Sequence, residues 1–163
     1  MYKRQLFIQV DTFLEACGVE LDEEMKGRLG TAHMCWLVER TTEPLPFASS
    51  SVVLQRDEHL YVTLFVEWHE MRKKDGRDRP TEIDQGMLHI TTERLLFVGR
   101  SKTSTIKLNA IVSVSDRKVR DGLEAVVLDK GSGRTPFLIP NARFAELLRL
   151  YITRAIFEQR GGK

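Results

Sequence analysis

The chain has 163 residues, 42% of them hydrophobic and 29% charged, which is the balance of an ordinary soluble globular protein with a proper hydrophobic core. No apolar run approaches the ~20 residues needed to span a bilayer, which argues against a membrane-spanning segment. The net charge of +2 is too small to argue nucleic-acid binding.

That net charge hides an asymmetry. Residues 1–51 carry 5 Lys/Arg against 8 Asp/Glu, a net of −3, while residues 52–163 carry 20 against 15, a net of +5. The difference suggests two structural parts, the second mildly basic. Lys3 and Arg4 precede apolar residues, but Gln9, Asp11 and Thr12 interrupt the continuous stretch a signal peptide needs. The expected location is therefore cytoplasmic. Cys17 and Cys35 suit a reducing compartment, as small buried hydrophobes.

The first expected element is a helix, because Leu6, Val10, Phe13, Leu14 and Cys17 share one face. Gly18 suits its C-terminus. Asp22 then reads as an N-cap, with Glu23 and Glu24 in the first turn, where negative charge complements the helix dipole. Met25, Leu29, Ala32, His33 and Trp36 extend a second stripe. Two short helices with a brief loop pack antiparallel, giving an N-terminal helical pair. From Thr41 to Ser51, Pro44, Pro46 and three serines make a linker. This places the boundary at residue 50: a helical pair and linker over 1–50 and a second domain over 51–163.

The second domain begins with strands. Val52 to Leu54 reads as extended, and Leu60 to His69 as a long strand with one fully apolar face. Met71 to Asp84 reads as a charged loop. Gly86 to Gly99 is a β-hairpin: Leu88 and Ile90 share a face, Thr92-Glu93-Arg94 bends, and Leu95 to Val98 is a short apolar run. Ile106 and Leu108 point inward on the next strand, and Val112 and Val114 alternate with serines. Asp121-Gly122 and Lys130 to Gly133 are turns. Thr135 to Ile139 is a last strand, which Pro136 relegates to an edge or bulge. Asn141 then caps the strongest helix, with Phe144, Leu147, Leu148, Tyr151, Ile152, Ala155 and Ile156 on one stripe and Gly161-Gly162 at its end.

Gly86-Met87-Leu88-His89-Ile90-Thr91, followed by Arg94-Leu95-Leu96-Phe97 and then by Ile106 to Ile111, resembles the GRAM branch of the pleckstrin-homology-like fold and the related bacterial PH-like domains. The resemblance covers about residues 52–158. It implies an α+β protein: an N-terminal helical pair, then a PH-like barrel of two packed antiparallel sheets of about seven strands, with a C-terminal amphipathic helix. Such a fold implies a binding scaffold and no particular reaction.

In a meander, the loop 71–84 and the loop 100–104 open at the same end. That end is where the resemblance places a headgroup site, formed by Arg72, Lys73, Lys74, Arg77, Arg79, Arg100 and Lys102, which can hold phosphates or an anionic leaflet. Lys118 and Arg120, or else Lys130 and Arg134, are candidates for a third loop. Asp75, Asp78, Glu82 and Asp84 cancel much of this charge.

The other chemistry is thin. His33 and Cys35 point to different helix faces, and His59, His69 and His89 are scattered, so no metal set is read. Ser49 to Ser51 lacks a nucleophile elbow, and Gly131-Ser132-Gly133 precedes a strand, unlike a phosphate-cradling loop. The expectation is a non-catalytic binding or scaffolding module without cofactor or metal. Its first-ranked partner is a protein or a second copy met through the N-terminal helices. The alternative is an anionic lipid or phosphoinositide that makes the protein peripheral to a membrane. Nucleic acid is not expected.

Overall fold

Residues 13, 14, 16–119 and 123–161 are described in the computed structural model, apart from the side chains of Lys74 and Ala142. The chain runs α1 (Glu23–Arg40), β1 (Leu60–Lys74), β2 (Arg77–Thr91), β3 (Arg94–Gly99), β4 (Thr103–Lys107), β5 (Ser113–Lys118), β6 (Glu124–Asp129), β7 (Pro136–Pro140) and α2 (Ala145–Gln159). The protein is α+β. The seven strands form one antiparallel sheet in the order β4-β3-β2-β1-β7-β6-β5. This corrects the expected barrel of two packed sheets. β1 is long enough to pair with β2 on one side and β7 on the other, so both halves hydrogen-bond through it. β4 and β5 remain as the two edges and the sheet does not close.

The helical pair is described only in its second member. Of the first expected helix, Phe13, Leu14 and Ala16 are helical and Gly18 turns the chain at φ 73°, as expected of a C-terminal glycine. The rest of that helix lies outside the described residues, as do Arg120, Asp121, Gly122 and Gly162. α1 starts as its sequence requires: the Met25 N–H donates to Asp22 Oδ1 at 2.7 Å. It packs against α2, and Val38 and Leu45 join the main core. Cys17, expected to be buried, is exposed; Cys35 is half-buried, and burial pushes its thiol pKa up. Among the described residues, no helix is long and apolar enough to cross a membrane.

The main core lies between one sheet face and α2. Period-2 side chains such as Leu88, Ile90, Val66 and Leu138 meet the α2 stripe of Leu148, Tyr151, Ile152 and Ala155. Trp68 sits in this core at 5.2 Å from the Phe97 ring. A smaller apolar cluster of Ala125, Phe137 and Ile139 lies apart from it, with Met71, Val119 and Val127 against it.

Four expectations shift. Val52 to Leu54 is not a strand; instead Ala48 bridges to Leu60. Asn141 does not cap α2 directly: a single 3₁₀ turn, Ala142–Phe144, intervenes, and α2 starts at Ala145. β7 is not at an edge but lies between β1 and β6, because its prolines occupy the two strand ends. Met71 to Asp84 is not a loop. β1 and β2 run through it and turn at Asp75-Gly76, both left-handed at φ 53° and 74°. Asp-Gly in a two-residue connection is the hairpin turn that matches strand twist.

The hairpin Gly86–Gly99 forms as expected, from Gly86↔Gly99 to Ile90↔Leu95. Its two glycines reflect close approach rather than unusual dihedrals. A Cβ on Gly86 would run into the Val98 carbonyl oxygen, and one on Gly99 into the Asp84 carboxylate and the Phe97 ring.

Two buried carboxylates hold the ends of this hairpin. At the bend, Glu58 accepts from Arg94 Nε at 2.8 Å, Arg94 Nη2 at 3.0 Å, the Gln55 N–H at 2.7 Å and the Thr91 hydroxyl at 2.7 Å. Thr91 Oγ1 in turn accepts the Arg94 N–H at 3.0 Å, closing the turn. At the other end, Asp84 accepts the backbone N–H of Gln85, Arg100, Ser101 and Lys102 and the Ser101 hydroxyl. A third carboxylate, Glu158 on α2, ties down the linker and β1. It accepts the Leu45 N–H at 3.0 Å, the Tyr61 hydroxyl at 3.0 Å and Arg154 Nε at 2.8 Å.

Candidate functional site

Beyond Glu70, β1 leaves β7 and pairs with β2 alone, forming a two-stranded arm that ends at Asp75-Gly76. The seven cations expected to surround a headgroup are distributed along this arm and around the β3–β4 turn. Arg72, Lys73 and Arg77 are exposed on the arm. Arg72 lies across from Arg79, Lys73 from Asp78 and Lys74 from Arg77. The Lys74 side chain lies outside the described residues.

About 30 Å of extended strand separates the arm's turn from Gly86, at a rise of roughly 3.3 Å per residue. Arg100, in the β3–β4 turn, is exposed near the Gly86 end, and its N–H donates to the Gln85 carbonyl at 3.2 Å. Lys102 is engaged already. Its Nζ lies 3.6 Å from Glu70 Oε1 and 4.6 Å from the centre of the Trp68 ring. Arg134 Nη1 donates to the other Glu70 oxygen at 3.1 Å. Burial alone would raise the Glu70 pKa; Arg134, Lys102 and the Trp68 N–H outweigh it and hold the carboxyl below its usual range. Register and alternation therefore put Arg72, Arg79 and Arg77 on one face of the arm and Lys73 on the other, with Arg100 and Lys102 away from them at the β3–β4 turn.

Arg79 lines a cavity of about 630 Å³ together with Glu67, His69, Pro80, Val119, Leu123 and Ile139. β1 supplies Glu67 and His69 by alternation, on the face opposite Trp68. β7 supplies Ile139 directly across from Glu67. His69 Nε2 lies 3.0 Å from Glu67 Oε2. Glu82, exposed on β2, stands directly across from His69. One ligand atom from each of Glu67, His69 and Glu82 falls within 4.8 Å of the others.

These three residues were not singled out by the sequence. Glu67 and His69 were legible as an i, i+2 pair on one strand face. Glu82 was not, because the register shifts between Trp68 and His69, where Ile83 is an extra residue on β2. The other histidines stay apart from this group. His89 is buried on β2, where burial lowers its pKa, and its Nδ1 lies 2.8 Å from Thr63 Oγ1. His59 stacks on Phe47 at 4.3 Å.

The same sheet face carries an apolar row. Phe65 on β1 stands across from Met87 on β2, and Met87 from Val98 on β3. They are 50%, 41% and 38% exposed. Their sequence neighbours Val66, Leu88 and Phe97 are fully buried on the core side, so alternation turns these three outward.

The sequence matches no family model. No curated protein matches it either. Among solved structures, it is similar to the C-terminal domain of an unknown protein from Leishmania infantum, with 21% identity, a TM-score of 0.42 and coverage of 64% of this chain and 85% of that one. A likeness at that level carries no argument about function.

Proposed function

We propose that this chain is a non-catalytic binding module of the PH/GRAM-like kind that self-assembles through the outer face of its sheet. The row Phe65, Met87 and Val98 carries this reading: three large apolar side chains, on three neighbouring strands, in direct register and exposed. Contiguous apolar surface of this kind marks interaction sites more often than scattered single residues do. Thr63 and Thr103 flank it on two sides, and Glu67 lies two residues beyond Phe65 on the same face. The order of four consecutive hairpin strands, three more and a closing helix supports the PH-like assignment.

Sedimentation equilibrium tests it. Wild type should form dimers at tens of micromolar, unaffected by added salt because the contact is apolar. A Phe65→Ser/Met87→Ser variant should weaken the dimer about tenfold or more, since two exposed anchors are lost; exposed substitutions of this kind change fold stability by only about 0.5 kcal/mol each. A wild type that stays monomeric at several hundred micromolar removes self-assembly.

The exposure of Arg72, Lys73 and Arg77 on one projecting arm favours the second reading, attachment to an anionic leaflet. Three cations at roughly 1 kcal/mol each give about 3 kcal/mol, a weak and salt-sensitive hold. Under this reading the protein pellets with phosphatidylserine vesicles at low salt and is released at high salt, and a Lys73→Glu/Arg77→Glu variant does not pellet. Absence of pelleting by wild type at low salt removes the lipid reading.

A further inference from the structure

We propose that Glu67, His69 and Glu82 bind a divalent transition-metal ion, zinc by the mix of donors, beside the cavity that Glu67 and His69 line. The argument is independent of the apolar row.

One imidazole and two carboxylates converge from two strands whose pairing fixes their spacing: His69 directly across from Glu82, and Glu67 two residues before His69 on the same face. The imidazole favours zinc and its first-row neighbours over magnesium and calcium, which prefer all-oxygen shells. Donors around tetrahedral zinc, at 2.0–2.2 Å from the metal, lie about 3.3–3.5 Å from one another. Here Glu67 Oε2 and His69 Nε2 are 3.0 Å apart, and all three donors lie within 4.8 Å. Closing that set needs a shift of about 1 Å or slightly more, for which an exposed glutamate rotamer on Glu82 suffices.

Beside the Glu67–His69 pair, Glu82 brings a second carboxylate oxygen within 4.8 Å of both. Two like charges at this separation disfavour each other, and a cation between them removes the repulsion. Arg79 also lines the cavity and offsets one of the two negative charges, so a set with a neutral imidazole remains net negative. Three protein ligands leave one position of a tetrahedral zinc for water or an outside donor. Val119, Leu123 and Ile139 make the neighbouring wall apolar.

Calorimetric titration of the full chain, first freed of metal with chelator, tests the proposal with zinc chloride as the probe and magnesium chloride as the control. Wild type should take up one zinc per chain with a dissociation constant on the order of micromolar, and show no magnesium binding at the same concentrations. Glu82→Gln, an exposed change that leaves the strand pairing intact, should weaken zinc about tenfold, and His69→Ala about a hundredfold. Zinc should raise the melting temperature of wild type and leave that of His69→Ala unmoved. The proposal is overturned if wild type takes up no stoichiometric zinc, or if Glu82→Gln and His69→Ala both bind as wild type does.

Discussion

Replacing Arg94 with alanine should lower the unfolding free energy by about 3–5 kcal/mol, read as a drop in the urea midpoint at neutral pH, because it strands a buried carboxylate. Glu58 has no exposed side-chain surface, and Arg94 supplies two of its four hydrogen bonds in a bidentate fork. The Gln55 N–H and the Thr91 hydroxyl remain in the variant, but neither carries the compensating charge.

The pH dependence checks the mechanism. Burial by itself would raise the Glu58 pKa; the bonds from Arg94, Gln55 and Thr91 overcome it and hold the pKa below its ordinary value. A carboxyl depressed in the folded state contributes stability that is full above its unfolded pKa and is lost as pH falls through the folded one. In Arg94→Ala, burial acts with less opposition, so Glu58 neutralises itself at a higher pH. The gap between wild type and variant should therefore narrow as pH is lowered below about 5. A double Glu58→Met/Arg94→Met variant should recover part of the loss, since an apolar pair needs no partner charge. A double variant less stable than Arg94→Ala, or a gap that stays constant with pH, would contradict the account.

Asp84→Ala should lower the melting temperature by about 5–10 °C and loosen the β3–β4 turn before the rest of the sheet. One carboxylate there collects four backbone N–H groups and a hydroxyl, and it seats against Gly99, where no side chain fits. Chiefly through the Ser101 N–H, these bonds outweigh burial and bring its pKa down to about 2. Stability from this group is complete above the ordinary aspartate value of 3.8 and lost as pH falls towards about 2. Wild type and variant should therefore differ at pH 5 and converge near pH 2. Hydrogen exchange should show the Ser101 and Lys102 amides unprotected in the variant, while the Arg100 N–H keeps its Gln85 carbonyl acceptor; protection of Ser101 and Lys102 equal to wild type would refute the role given to Asp84.

Both of these residues sit at the ends of a hairpin whose existence was legible but whose fastening was not. Leu88, Ile90 and the run Leu95 to Val98 announce two short strands by alternation and branching. Arg94 was expected in the bend; the bend is Thr92-Glu93, and Thr91 and Arg94 are the strand ends that flank it. Their acceptor, Glu58, lies 36 residues before Arg94, and no local pattern links the two. Asp84 was counted as one more negative charge in a loop, because a carboxylate that caps four amides has the same sequence signature as one in water.

The arm shows a different kind of miss. Lys74-Asp75-Gly76-Arg77 contains the Asp-Gly signal of a two-residue hairpin, but the surrounding charges suggested a loop. Strand formation there draws on pairing between β1 and β2 rather than on an apolar face. That pairing spreads the cations along two strands, whereas a loop would have gathered them. The seven cations expected around one headgroup are spread along the arm and the β3–β4 turn for this reason.

Local physics determined a good deal from the sequence alone: the α1 start at Asp22, the turn at Gly18, the glycine-bounded hairpin, the buried stripe of α2, and the order of strands before the last helix. Each depends on residues within a turn or a few strand positions of one another. The tertiary structure alone decided that β1 joins both halves into one open sheet, that β7 is interior, that Glu58 meets Arg94, and that Glu67 and His69 face Glu82. These depend on strand register, and a single extra residue at Ile83 changes which side chains meet across β1 and β2.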